Sequence, residues 1–413
     1  MFRRVLPWIC LLLSAALRLQ AQDYAGHDAL YDFNVPALTP SPKGYVPFYI
    51  SHYGRHGSRF AWQKDMYGHM KDLFDTAAVK GLLTPLGESV RERAHILYDR
   101  CHNQTGELAE KGVEQQRRIA DVMAGSFPEV FRQGPAITAW SSHAQRAIMS
   151  MGAFCLEMQR LFPELEVRMN ENNIYLYKVV PDDKANPFRD TPPALTPPYS
   201  ESASEFFSRH LDYMDVFHRL FTDVKPLFPE NRYWNELSYL YQYIGGMDSL
   251  DGTVRLDDVV TEEQARVMWE AFNYMVFRGY QGNKNSFWPV VRDIVELGSA
   301  RVADGKAAVD LRFGHDYALG RTLCLLNVNG MDTVPENPDD LWKTYSTDMI
   351  PMGANLQIIL YRPKKAVRRH VPSAPEEVLF KLLLNGREAT LPALVPVSGP
   401  YYRWSDFVTV FGK

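Results

Sequence analysis

Cysteine is scarce in this sequence, with four among 413 residues. Cys10 falls inside an N-terminal apolar run, which leaves Cys101, Cys155 and Cys324 and room for one disulfide at most. A small fold stapled by disulfides is thereby excluded. No Cys-x-x-Cys and no His-Glu-x-x-His spacing occurs, so no zinc motif is present and no metal or other cofactor is expected. Beyond the N-terminus no run of 18 uncharged apolar residues exists, and a membrane-spanning helix is not expected. Excess positive charge is missing too: 45 Lys and Arg stand against 49 Asp and Glu, a formal charge of −4. General nucleic-acid binding rests on a broad basic face, so nucleic acid is not an expected partner. Any anion site in this chain must be a local concentration of charge. Internal repeats and low-complexity tracts are absent as well.

The N-terminus reads "MFRRVLPWICLLLSAALRLQAQ": two arginines, an apolar run from Val5 to Leu17, then small residues around Ala21. That pattern predicts a signal peptide over 1–22 and an exported protein, periplasmic or secreted. Loss of Arg3, Arg4 and Arg18 makes the mature chain three units more negative.

What remains is an ordinary globular composition, 46% hydrophobic and 13% aromatic. Four stretches read as buried strands running into loops: "GYVPFYISHYG" (44–54), "PAITAWSS" (135–142), "AAVDLRFG" (307–314) and "ANLQIILYR" (354–362). Helical patterns follow the first two, at 108–127 and 144–162. Strands alternating with helices predict an α/β layer structure. The middle differs. A Pro-rich break, "TPPALTPP" (191–198), leads into long amphipathic helices at 202–221 and 261–280, the second opened by a Thr261/Gln264 capping box. The expected division is an α/β domain from 23–156 and 286–413 with a helical insertion over 157–285. Near the C-terminus, Asn385-Gly386 between strand-like residues predicts a hairpin.

Ligands of open α/β sheets bind beyond the carboxyl ends of the strands. Three of the predicted strands end in reactive or cationic residues. The first runs into "GRHGSR", with Arg55, His56 and Arg59; the second into "SSHAQR", with Arg146; the third into "GHD", with His315 and Asp316. Each residue alone has an ordinary structural explanation, as an ion-pair partner, a core histidine or a cap. Their combination, in chain order and each at its own strand end, is an inventory for phosphoryl transfer. Guanidinium forks suit phosphate oxygens, an imidazole can attack phosphorus, and a carboxylic acid can protonate a leaving group. His52 and His143, which flank these motifs, are read as structural.

These residues carry a resemblance. "RHGSR" resembles the Arg-His-Gly-x-Arg signature of the histidine phosphatase superfamily, in its acid phosphatase and phytase branch, and "GHD" resembles that branch's His-Asp motif. "GELAEKGVEQQ" is similar to the family's Gly-x-Leu-Thr-x-x-Gly helix start, with Ala109 in place of threonine. "SSHAQRAIMSMGAF" is similar to the segment bearing the third phosphate-binding arginine, and "MGANLQIILYR" to the closing strand. Multiple inositol-polyphosphate phosphatases are the nearest group. Two departures bear on substrate: Ala61 replaces the usual proline, and His315-Asp316 stands where that group usually reads His-Ala-Glu.

The resemblance implies a phosphoglycerate-mutase-like central sheet flanked by helices, with a helical insertion. It implies that His56 is the nucleophile, that Arg55, Arg59, Arg146 and His315 hold the phosphate, and that Asp316 is the acid. The expected activity is hydrolysis of small-molecule phosphate monoesters, inositol polyphosphates above all, fastest below neutral pH. Lys178, Lys184 and Arg189 are candidates for holding further phosphates of such a substrate. Sugar phosphates or nucleotides are the alternative substrates. A binding protein without turnover is the alternative from another class, and it would lack the nucleophile or the acid.

Overall fold

The structure, a computed structural model, describes residues 24–181, 199–369 and 372–412. The predicted signal peptide and the Pro-rich break lie outside the described residues. Within them the four predicted strands are present as β1 (Tyr45–Arg55), β2 (Ala136–Ser141), β4 (Ala308–Gly314) and β5 (Asn355–Pro363). β3 (Val167–Asn170), β6 (Leu379–Leu384), β7 (Arg387–Ala389) and β8 (Tyr402–Arg403) complete one sheet. Its order is β3-β2-β4-β1-β5-β6-β7, with β8 on β6. β3, β2, β4 and β1 run parallel, whereas β5 to β8 pair antiparallel. β4 and β5 are buried along their whole length, as expected of strands covered on both faces.

On one face, helices Glu110–Ser126 and Gln145–Leu161 pack together and bury Ile119, Met123, Phe154 and Met158 against Ile137, Leu311 and Ile359. The other face carries Trp288–Asp304 and Asp316–Leu326, in a core that continues into the remaining helices. The Asn385-Gly386 turn forms as predicted between β6 and β7, both residues at positive φ, 52° and 76°, as a type I′ turn requires. The Thr261/Gln264 capping box opens helix Glu262–Gly282. Cys101, Cys155 and Cys324 are free and buried.

One sequence expectation is corrected. The stretch 202–221 is not one helix but two short ones, Ala203–Ser208 and Tyr213–Phe217. The Asp212 side chain accepts the Met214 N–H, capping a second helix where the amphipathic pattern alone would continue the first. The expected boundary at 157 falls inside helix Gln145–Leu161, and β3 beyond it belongs to the sheet. Helices Met66–Val79 and Pro85–Cys101, which lie between β1 and β2 in sequence, pack on each other, and the first also meets Tyr233–Gly245. Periodicity shows that a helix has a buried face. It does not show which layer receives it.

The loop that leaves β1 is held by one close approach. It lies directly on the first turn of Glu110–Ser126, at Gly57 and Gly112. A Cβ on Gly57 would sit 2.4 Å from the Gly112 carbonyl oxygen, and one on Gly112 would sit 2.2 Å from that of Ser58. Both obstacles are backbone and cannot rotate away. Gly112→Ala should therefore lower stability by about 1–3 kcal/mol, the usual cost of overpacking. The urea midpoint of the purified variant reads this, and an unchanged midpoint would show that the two segments separate freely.

Candidate active site

Parallel register brings the predicted residues together. Arg55 at the end of β1 stands opposite Gly314 at the end of β4, and Phe313 of β4 stands opposite Ser141 of β2. The segments that leave these strands, beginning at His56, Ser142 and His315, therefore start side by side. The His56 and His315 rings are 5.5 Å apart between centroids, and Arg146 Nη2 reaches to 3.4 Å from His315 Nδ1. Arg55, His56, Arg59 and His315 are buried, while Asp316 is partly exposed.

The loop is fixed by its backbone. Gly57 N–H donates to Ser150 Oγ at 3.0 Å and Ser58 N–H to Gln115 Oε1 at 2.8 Å. Ala109 N–H donates to the Ser58 carbonyl at 2.9 Å. Ala109 is the N-cap of its helix and provides no side-chain cap, so the helix start relies on these loop contacts. His56 Nδ1 lies 2.9 Å from its neighbour's carbonyl, Gly57 O. A carbonyl only accepts, which puts the imidazole proton on Nδ1 and leaves the Nε2 lone pair free.

The arginines are incompletely paired. Arg55 Nη1 donates to the carbonyls of His27 and Ile350, but its Nε and Nη2 have no partner in the buried site. Arg59 Nη2 meets Asp28 Oδ1 at 3.4 Å. Arg146 Nη1 approaches the Gly106 carbonyl at 3.4 Å, and its buried Nε is unpartnered. Arg59 Nη1 also donates to the Phe60 carbonyl at 3.2 Å, so the donors left over beside His56 belong to Arg55 and Arg146, a pattern suited to an oxyanion.

Burial and this field together shift the titrations of His56, His315, Arg146 and Asp316. Burial first, then the charges of Arg55 and Arg146, hold His56 well below the ordinary histidine value. His315 is pushed down to about 4 by burial and Arg146. Arg146 itself falls to about 10, through burial and then Arg59. Burial would raise Asp316, but Arg55, His27, Arg59 and His315 outweigh it and hold the carboxyl below its ordinary range. Asp316 is therefore held as the carboxylate.

Four residues join the site that the motifs did not mark. His27 and Asp28 arrive from the N-terminal segment, both buried, with Asp28 between Arg59 and His27. Tyr280 donates its hydroxyl to Asp316 Oδ2 at 3.0 Å, and Ser142 Oγ lies 2.9 Å from His315 Nε2. One signal was visible: Gly-His-Asp occurs twice, at 26–28 and at 314–316. His52 is packed between Phe154 and Phe313, and burial, with Arg312 nearby, lowers it to about 3. His143 bonds Glu171 and Asn173 at the surface. Lys178 is not a free cation: it is buried, paired with Asp293 and set over Trp140. Lys184 and Arg189 lie outside the described residues. Among the described residues no group of three His, Cys, Asp or Glu side chains is arranged to hold a metal, and no helix is long and apolar enough to cross a membrane.

The buried histidines make stability depend on pH. His27, His52, His56 and His315 all stand below 6.5 in the fold. Below that pH the unfolded chain binds protons that the folded chain does not, so stability falls as pH drops from about 6.5 towards 4. Each histidine contributes up to about 1.4 kcal/mol per pH unit. Urea midpoints at pH 7 and 4.5 should differ accordingly, and inorganic phosphate, which favours the protonated site, should recover part of the loss. A midpoint independent of pH would contradict these assignments.

No family model matches the sequence, and no curated protein matches it. Solved structures do. The apo form of Bifidobacterium longum multiple inositol polyphosphate phosphatase superposes with a TM-score of 0.75 at 17% identity, over 94% of this chain and 97% of that one. Its complex with inositol hexasulfate gives 0.74 at 18% identity, over 92% and 96%. The phytase of D. castellii gives 0.68 at 13% identity, over 95% and 84%. At these identities the likeness is one of fold: the chain has the mixed α/β fold, central sheet flanked by helices, of multiple inositol polyphosphate phosphatases and phytases.

Proposed function

We propose that this chain is a phosphate monoesterase that works through a phosphohistidine on His56, with inositol polyphosphates such as phytate as its substrate class. One observation carries the reading: a neutral, buried imidazole with a free Nε2 stands among three guanidinium groups, two of which, Arg55 and Arg146, have buried nitrogens without a partner. Arg55, Arg59, Arg146 and His315 hold the phosphoryl oxygens, and positioning and charge supply most of the catalysis in phosphoryl transfer. His56 Nε2 attacks phosphorus as the ester P–O bond breaks. Asp316 gives its proton to the departing oxygen, and as carboxylate it then takes a proton from the water that cleaves the P–N bond.

The arginines keep Asp316 ionised until substrate arrives. A bound phosphate dianion cancels part of their field and raises the carboxyl, so binding itself readies the acid. Fold likeness to phosphatases whose structures include an inositol hexasulfate complex supports the inositol class. Hydrolysis of sugar phosphates or nucleotides is the second reading, favoured by the removal of Lys178 from the pool of free cations and by the half-exposed Trp62 three residues after Arg59. Export, on the signal-like 1–22, and a helical domain covering the site belong to the same proposal.

Phosphate release from phytate, sugar phosphates and nucleotides across pH 4 to 8 tests the substrate class, and a chelator should leave the rates unchanged. Preference for nucleotides over phytate would select the second reading. Asp316→Asn tests the acid. Inositol and sugar alkoxides need a proton to leave, whereas nitrophenolate does not. The variant should lose on the order of 10²-fold more rate on alkyl phosphates than on nitrophenyl phosphate. Equal losses on both would remove Asp316 from that role.

A further inference from the structure

Asp316 opens helix Asp316–Leu326, and one turn further along that helix is Gly320, a residue that weakens a helix interior. The structure gives a reason for it. A Cβ on Gly320 would stand 2.3 Å from Tyr280 Cδ2 and 2.4 Å from Cε2. The Tyr280 ring, on helix Glu262–Gly282, therefore lies flush against the backbone of the acid's own helix. From there its hydroxyl donates to Asp316 Oδ2 at 3.0 Å. Tyr345 meets the ring edge-on at 6.5 Å and 88°. Two features from distant parts of the chain, a tyrosine and a gap cut for it, converge on one carboxylate oxygen.

We propose that Tyr280 is a positioning residue for Asp316, holding Oδ2 so that Oδ1 delivers the proton to the leaving oxygen and retrieves one from the attacking water. The inference rests on the phosphohistidine reading of His56. In the first step the P–O electron pair goes to the leaving oxygen, which takes the Oδ1 proton. In the second, water gives its proton to Oδ1 and its oxygen to phosphorus, and the P–N pair returns to His56. The tyrosine keeps its own proton throughout. Burial and the charge of Asp316 hold it well above its ordinary value, so it acts as a fixed donor. It strengthens the carboxylate form, the form the first step generates and the second step uses. The other charged or titratable groups facing Asp316 are Arg55, Arg59, Arg146, His27, His315 and Tyr345. Of these, Tyr345 alone is also a neutral hydroxyl, and its OH makes no hydrogen bond; the arginines and histidines bring or can bring positive charge.

The test is Tyr280→Phe, which keeps the ring and its fit against Gly320 and removes one hydrogen bond. The rate of the alcohol-release burst, measured against pH on an alkyl phosphate, reports Asp316 in the bound state. Without the donor the carboxylate is weakened, so the limb in which the rate falls with rising pH should move up by roughly one unit. Carboxyl-carbon NMR should show the same upward move for the Asp316 resonance, assigned with Asp316→Asn, and this readout needs no turnover. Gly320→Ala, whose Cβ displaces the ring, should move both in the same direction. A limb and a resonance that stay in place in Tyr280→Phe, whatever the loss in stability or rate, would overturn the proposal and reduce Tyr280 to packing. Wild-type protein that releases no phosphate from any monoester would instead overturn the phosphatase reading, and the proton-delivery role with it.

Discussion

Arg55 is a fully buried guanidinium with two of its three nitrogens unpartnered, and the site is organised around offsetting that cost. An unpaired buried charge is among the most expensive things a fold can hold. Here two carbonyls take one nitrogen, Asp28 balances neighbouring Arg59, and the ionised Asp316 shares the field. The compensation is partial: Arg55 Nε and Nη2 remain without a partner. The same burial keeps His56 neutral, with its Nε2 lone pair free, so one physical constraint shapes both the guanidinium cluster and the imidazole within it.

Such a cluster persists only if the backbone around it cannot relax. Parallel pairing sets the ends of β1, β4 and β2 side by side, and the Gly57–Gly112 contact presses the catalytic loop against a helix. Backbone hydrogen bonds from Gly57 and Ser58 to Ser150 and Gln115 use two further positions on the two helices of that face. The clustered side chains are thus held by elements whose own stability comes from the core beneath them. Tyr280 and Gly320 extend the arrangement to the opposite layer, where a ring-to-backbone contact and one hydrogen bond hold Asp316.

Much of this was legible in the sequence because it is local. Strands covered on both faces give unbroken apolar runs, and their ends carry Arg55, His56, Arg146, His315 and Asp316 in plain view. Thr261 with Gln264, and Asn385 with Gly386, signal their cap and turn through a few adjacent residues. What stayed hidden depends on tertiary pairing. Asp28 matters because the N-terminal segment folds back onto Arg59, and Tyr280 because a helix distant in sequence abuts Gly320. Lys178 looks like a free surface cation until Asp293 is placed against it. The break at Asp212 shows a cap overriding amphipathic periodicity, and β3 shows that a four-residue edge strand is too short to announce itself.

The account turns on His56 carrying the phosphoryl group. Rapid quenching during turnover of an alkyl phosphate, followed by digestion in mild alkali and mass spectrometry, locates any covalent phosphate. The account predicts one phosphate, on the peptide containing His56, labile in acid and absent from His56→Ala. Phosphate on any other residue, or turnover by the His56→Ala protein, would contradict it.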